Sequence, residues 1–369
     1  MLNVLTIRPE AFGLDISNSS LKIVKLERKK RGFALASFGE QIIKPGVIEN
    51  GEVKDEEALV KAIKKGISEV KGEKIRTKYV VCSLPEEKSF LQVIQMPKIK
   101  KEDLGKAIQY EAENYIPLPI DEVYLDSQII PPVHNHLDHI DVLIVAFPKD
   151  VVDPYLSCLK KAGLQPGVLE LESLSIARAL VKKEIAPYSL LLIDLGAIES
   201  SFIIFSGYSL RFTSAISISS REITKAIAEG LKIGFEEAEK LKLKYDSKER
   251  QSKNSKNKEI SGALNPVLTE LVDQVKKRLN YYRTHSSHEH LPPDHKGIQK
   301  VFLCGGGAGL EGLAEFLSTQ LKIPVILGDP WTNIFPESKK ETAKMSHKES
   351  LRYAAAFGLA LRGIRKKYD

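Results

Sequence analysis

Cysteine is scarce in this 369-residue chain: Cys82, Cys158 and Cys304 lie far apart, each among apolar neighbours. That usage excludes a disulfide framework and points to a reducing compartment, with cysteine serving as a small hydrophobe. No uncharged apolar run approaches the roughly 18 to 20 residues of a membrane span. The opening MLNVLTIRPEAF lacks a basic start, a long apolar stretch and a small-residue cleavage site. It is not read as a signal peptide, and the expected location is the cytoplasm. Charge of one sign is not concentrated either. The formal net charge of +7 is spread along the chain without aromatic interleaving, so no nucleic-acid partner is expected. There is no G-x-S-x-G elbow for a serine nucleophile. Histidine gathers in two stretches, His134, His136 and His139, then His285, His288, His290 and His295. Such spacings can bind zinc, but no cysteine is near and both stretches are polar and loop-like, so they read as solvent-facing.

The chain exceeds one ordinary core, and two or more lobes are expected. Its patterns are those of an α/β protein in two halves. Residues 12–26 and 33–44 read as a strand pair about Gly32, and residues 55–71 carry apolar residues at helical spacing. KYVVCSLP, FLQVIQMP, VYLDSQII and IDVLIVAFP read as strands. KEDLGKAIQYEAENYIP reads as a helix halted by Pro117, and DVVDPYLSCLKKAGL as one closed by Gly163. A three-strand meander opens the second half. The helical stretches SREITKAIAEGLKIGFEEAEKLKLKY and PVLTELVDQVKKRLNYYR follow it, then the buried strand KVFLCGGG and a closing small-residue helix. Residues 246–260 hold almost no apolar side chains and read as a loop.

Two segments share one scheme. FGLDISNSSLKIVKL (12–26) and IDLGAIESSFIIF (193–205) each run from an apolar strand through an aspartate and a small polar turn into a second strand. Asp194 lies 179 residues beyond Asp15, about half the chain, which suggests two related lobes facing across a cleft. A turn of small residues lets successive N–H groups converge on phosphate oxygens, and Ser17, Asn18, Ser19 and Ser20 add side-chain donors. Lys22 would neutralise phosphate charge. Asp15 and Asp194 would offer hard oxygens, mostly through water, to magnesium. Either hairpin alone also fits an ordinary polar turn. A third element, LCGGGAGLEGL (303–313), tips the reading toward a nucleotide clamp, because Gly305, Gly306 and Gly307 permit close approach of the backbone to a flat nucleoside. No lysine-serine pair follows them, so this is not a Walker loop.

The order of aspartate hairpin, Asp-Gly hairpin and glycine turn resembles the actin-like ATPase superfamily, which includes actin, sugar kinases, MreB and FtsA. The resemblance implies an α/β actin-like ATPase fold, two lobes about a cleft that holds ATP and Mg2+, with Gly196 in the second hairpin. It puts Glu172, in LESLSIARA (171–179), on a connecting helix near an attacking water. It puts Glu239 and Lys242, in IGFEEAEKLK (233–242), against the ribose. LRYAAAFGLAL resembles the second connecting helix, whose small residues allow a tight crossing.

Within that superfamily, nearly the whole chain resembles the PilM family of type IV pilus assembly. The segments 96–126 (with YEAENYIP), 146–180 and IDLGAIESSFIIF carry the likeness. It implies an inserted subdomain of the FtsA and PilM type at 86–166. The first-lobe core is then 1–85, 167–187 and 345–369; the second-lobe core is 188–222 and 297–344, with a helical subdomain at 223–296. It further implies a cytoplasmic scaffold with slow or no ATP hydrolysis, alongside other pilus machinery. Such a scaffold is recruited to the inner face of the cytoplasmic membrane by the N-terminal cytoplasmic peptide of a PilN-like membrane protein, held by the inserted subdomain and the adjoining lobe.

The same motifs admit two other readings. A small-molecule kinase or fast ATPase needs an in-line base or water-positioning group, for which Glu172 is the candidate, yet no sugar-binding set is recognisable. An FtsA-like filament protein would be expected to carry a terminal amphipathic helix, which LRGIRKKYD is too short to supply.

Overall fold

The computed structural model describes residues 10–30, 32–133, 138–245, 255–285, 290–291, 297–334 and 345–365. The chain opens with three antiparallel strands, β1 (Phe12–Ile16), β2 (Ser20–Arg28) and β3 (Phe33–Ile42). A ribbon of β4 (Ile48–Glu49) and β5 (Glu52–Val53) leads into α1 (Glu56–Ser68), then β6 (Lys71–Gly72) and β7 (Tyr79–Leu84). Asp55 starts α1 by accepting a hydrogen bond from Ala58 N at 2.9 Å, satisfying one of the N–H groups a helix start leaves free. Next come β8 (Phe90–Pro97), α2 (Lys101–Ala112), β9 (Val123–Ile130) and β10 (His139–Pro148). The first half ends with α3 (Lys149–Lys161), β11 (Gln165–Leu171) and α4 (Glu172–Leu180). The second half has β12 (Ala186–Leu195), β13 (Ser200–Gly207), β14 (Ser209–Ile216), α5 (Ser220–Leu231), α6 (Phe235–Lys244) and α7 (Ser255–His285). It closes with β15 (Ile298–Cys304), α8 (Leu313–Leu321), β16 (Val325–Leu327), α9 (His347–Ser350) and α10 (Ala354–Ile364).

Two sheets carry one strand order. It is β11-β7-β1-β2-β3 in the first lobe, with β6 added at the edge, and β16-β15-β12-β13-β14 in the second. β1 lies antiparallel to β2 and parallel to β7, as β12 lies antiparallel to β13 and parallel to β15. Even the register repeats, with Asp15 opposite Lys22 and Asp194 opposite Ser201. The repeat in the sequence is therefore a repeat of topology. Every residue of β1 and of β13 is buried, as expected of strands covered on both faces.

α4 and α10 cross in close contact. A Cβ on Gly358 would lie 1.8 Å from the Ser175 carbonyl oxygen, so the two backbones touch. Ala354 and Ala355 keep the rest of that face thin, while Ala356 and Ala360 lie on the opposite side, against Gly13 of β1. Beyond α4 the chain turns through Lys183 and Glu184, at φ of 55° and 56°. Asn333, which follows β16, caps this end of α4, donating to the carbonyls of Arg178 at 2.8 Å and Val181 at 2.7 Å and accepting from Lys183 N at 2.9 Å.

A third, three-stranded sheet, β8-β10-β9, stands apart with α2 over it. Its core is its own: Ile94, Met96, Leu104, Ile108, Val142 and Ile144 are buried together. α3 continues from β10 but packs on the first lobe, where Val151, Tyr155 and Cys158 meet Leu59 and Ile63. No helix among the described residues is long and apolar enough to cross a membrane.

Four local expectations need correcting. The helix expected to run to Pro117 ends at Ala112 and relaxes into turns, in which Tyr115 N and Ile116 N both donate to Ala112 O. The single helical stretch after β14 is two helices, separated at Lys232, which caps α5 in the left-handed region at φ 54°. The helix expected from Pro266 begins at Ser255, with Pro266 inside it. Residues 255–260, read as loop, therefore belong to its first turns, where Ile260 is buried and anchors an otherwise polar segment. Residues 246–254 of that segment lie outside the described residues, as do His134, His136, His288 and His295.

Candidate functional site

The first hairpin closes on its serines. Ser17 N donates to Ser20 O at 2.9 Å, Ser17 Oγ donates to the same oxygen at 3.0 Å, and Ser20 N reaches Ser17 Oγ at 3.3 Å. Strand alternation puts Asp15 and Lys22 side by side beneath this turn, with Lys22 Nζ 3.8 Å from Asp15 Oδ2 and 3.2 Å from Ser20 Oγ. Ser83, on neighbouring β7, holds Asp15 from below by donating to Oδ1 at 3.0 Å, while its Oγ accepts from Ile16 N at 2.9 Å.

Across the cleft the second hairpin turns through Gly196–Glu199. It is fastened to the start of α5, where Ser220 N donates to Gly196 O at 2.9 Å. Asp194 here has Cys304 Sγ 3.7 Å from Oδ1, in the place that Ser83 takes beneath Asp15. Gly305 follows at φ 86°, and its N–H donates to Leu351 O at 2.9 Å. The hairpins, Gly305, Gly306 and Gly307 open onto one cavity of about 670 Å³, the size of a small-ligand site.

Three carboxylates meet in that cleft. Glu172 starts α4 between the lobes; burial first, then the charges of Asp15 and Asp194, push its carboxyl well above the usual range. Burial raises Asp194 to about 6, opposed by Lys22 and reinforced by Asp15. One ammonium facing three carboxyls leaves an excess of negative charge. Among the described residues no three His, Cys, Asp or Glu side chains enclose a metal on their own. Magnesium does not need that, because it retains several waters and binds through one or two carboxylates plus substrate phosphates. Asp15 and Asp194, hard donors facing each other in acidic surroundings, fit such an ion.

The residues expected against a ribose are also in the cleft, with different freedom. Lys242 is buried, its Nζ 2.8 Å from Glu239 Oε2, 2.8 Å from Ser220 Oγ and 2.7 Å from Thr224 Oγ1. An ammonium has three protons, so these contacts occupy it. Lys242 thereby pins α6 to α5 and positions the more exposed Glu239. Asn18 departs from the set: its amide donates to Glu87 Oε1 at 3.1 Å and accepts from Gly51 N at 3.0 Å, away from the main cavity. Glu40, Lys348 and Arg352 also line the cleft, and sequence reading missed them. Arg352 pairs with Glu40, more than 300 residues away in the chain, a relation no local pattern announces.

A separate cavity of about 530 Å³ lies between the three-stranded sheet and the first lobe. β9 walls one side at Tyr124–Gln128, and β11 and α4 wall the other at Val168–Leu171 and Leu174. Both β9 and β11 are edge strands, so each has one row of backbone groups outside its own sheet.

The sequence model described as Type IV pilus assembly protein PilM matches residues 13–364. A solved PilM-PilN type IV pilus biogenesis complex is 28% identical, with TM-score 0.76 over 97% of this chain and 99% of that one. MreB 5 of Spiroplasma citri bound to AMPPNP aligns over 95% of both chains at 14% identity and TM-score 0.53, a likeness of fold alone. The cell division protein FtsA of Pseudomonas aeruginosa is 23% identical over 229 residues, 58% of this chain. That match takes in 51% of the FtsA, so the chain spans about half the length of that relative.

Proposed function

Because the chain belongs to the type IV pilus assembly protein PilM family, we propose that it is a cytoplasmic, ATP-binding scaffold of the pilus assembly platform. ATP and Mg2+ occupy the interlobe cleft, and a PilN-like membrane protein is held by its N-terminal cytoplasmic peptide, which brings the scaffold to the inner face of the cytoplasmic membrane. The single observation that carries the nucleotide reading is the convergence of two matched hairpins and a glycine turn on one cavity. Ser17, Ser19 and Ser20 would hold phosphate oxygens, with Lys22 offsetting their charge. Asp15 and Asp194 would hold the magnesium, which when bound screens phosphate charge. Gly305, Gly306 and Gly307 admit the nucleoside, Gly196 leaves the second turn narrow, and Glu239 reaches toward the ribose.

Glu172 is the acid placed to orient or activate water. Burial, reinforced by Asp15 and Asp194, keeps its proton in place before a cation enters the cleft, so at that stage it cannot accept another. Slow or no hydrolysis is kept as the family resemblance implies. We keep residues 86–166 as the inserted subdomain, with α3 as the part seated on the first lobe, and the other boundaries as the resemblance implies. The groove between β9 and β11 suits an extended peptide, since an added strand can bond to an exposed sheet edge while alternate side chains enter the apolar floor.

Calorimetry with ATP and magnesium tests the nucleotide reading. Wild type should bind in the micromolar range and Asp15→Ala should lose most of that affinity. No binding by wild type would reduce the chain to a passive scaffold.

A further inference from the structure

The second lobe also meets the three-stranded sheet. Arg211 on β14 reaches β10, where its Nη1 lies 2.5 Å from Asp141 Oδ2 with both side chains 6% exposed. Near the start of the same three-stranded unit, Glu86 is also buried and accepts from Ser173 N at 3.3 Å. β14 is the edge strand of the second-lobe sheet, so this seam is where that sheet abuts the three-stranded sheet.

The seam is incompletely satisfied. His139 Nε2 lies 3.4 Å from the other oxygen of Asp141, while among the described residues Arg211 Nε and Ser209 Oγ are buried without a hydrogen-bond partner. Native interiors rarely leave such atoms unmet, so an arrangement of β14 that meets the Arg211 Nε–H competes with the one seen.

The connections at either end give that junction a role. Side chains alternate along a strand, so Asp141 shares a face of β10 with Leu143, Val145 and Phe147, which line the groove. From Arg211, β14 runs to Ile216, and the chain passes through Ser219, the N-cap of α5, to Ser220 on the cleft wall. One strand leads to the cleft, the other walls the groove, and the ion pair joins them.

We infer that the Asp141–Arg211 pair is a strut that transmits lobe movement at the cleft to the wall of the groove. The inference rests on the reading of the cleft as a nucleotide site. A ligand that favours one lobe arrangement then changes the shape offered at the groove, and by linkage a groove ligand changes affinity at the cleft.

Ser127→Cys, on the exposed rim of the groove, provides a place for an environment-sensitive fluorophore, since the three native cysteines are buried. AMPPNP with magnesium should shift the emission of the labelled protein. In a D141N/R211Q background, which removes both charges together, most of that shift should be lost. Calorimetric AMPPNP affinity should meanwhile stay within about threefold, because neither residue lines the cleft. A shift undiminished in the double variant overturns the strut. So does a labelled parent that binds AMPPNP without any shift, and in that case the nucleotide reading survives. A parent that binds no AMPPNP overturns the nucleotide reading and the strut with it. If the double variant does not fold, amide hydrogen exchange of the unmodified chain decides. AMPPNP must then alter protection of residues 139–143 and 209–213 together, and constancy of either segment overturns the inference.

Discussion

Gly305 and Asp194 are fitted to one another: a Cβ on Gly305 would stand 2.1 Å from Asp194 Oδ1, and the backbone there has φ 86°. The carboxylate can face the cleft because this position carries no side chain. Gly305→Ala must displace Asp194 or leave the left-handed region, at a cost of about 1–3 kcal/mol. A fall in Tm of a few degrees is expected, with a loss of about tenfold or more in magnesium-ATP affinity. Gly306 is the control, since nothing stands within 4 Å of its Cβ position. Gly306→Ala should leave Tm within about 1 °C while weakening nucleotide binding. Thermal melts and calorimetry on both variants would show equal Tm losses if this account is wrong.

At the crossing of α4 and α10, Gly358→Ala would push a methyl to 1.8 Å from the Ser175 carbonyl oxygen. Backbone cannot yield there without separating two helices, so destabilisation of about 3 kcal/mol or more is expected, at the severe end for one methyl. Urea denaturation reads this as a lower midpoint. A loss below about 1 kcal/mol would mean that the helices move apart freely.

Glu199, in the second hairpin, stands beside Glu87, which follows β7. Burial, then the charge of Glu87 and a hydrogen bond with it, push the Glu199 carboxyl from 4.5 up to about 8. The folded protein therefore keeps a proton that the unfolded chain releases. The resulting stability is present below about pH 4.5 and is lost as pH rises through about 8. Glu199→Gln should flatten that decline and raise Tm at pH 8 by about 2 °C or more. Melts across this range that keep the wild-type slope would remove Glu199 as the cause.

How much of this was readable beforehand depended on how local each relation is. Asp15, Ser17, Ser20 and Lys22 fall within one hairpin, so spacing alone brings them together, and the same holds for Asp194 and Gly196. The small residues of α10 foretold a tight crossing because only a thin face lets backbones touch. What escaped was set by pairs distant in sequence. Asn18 looked like a phosphate donor until Gly51 and Glu87 claimed its amide. Lys242 looked free until α5 supplied two hydroxyls for its ammonium. Ile260 looked isolated in a polar run, although its burial against the second-lobe core is what holds the start of α7.

The matched registers of the two hairpins differ in one chemical respect, for the residue opposite Asp15 is a lysine and the residue opposite Asp194 is a serine. The duplicated halves are thus electrically unequal, and the second-lobe acid has no cation of its own on the neighbouring strand. It draws instead on Lys22 across the cleft, whose attraction outweighs the repulsion of Asp15 and ties the halves together. Dissolved salt reaches charges set this deep only weakly, so the tie holds at ordinary ionic strength. The duplication thus leaves two acids sharing a single counter-charge.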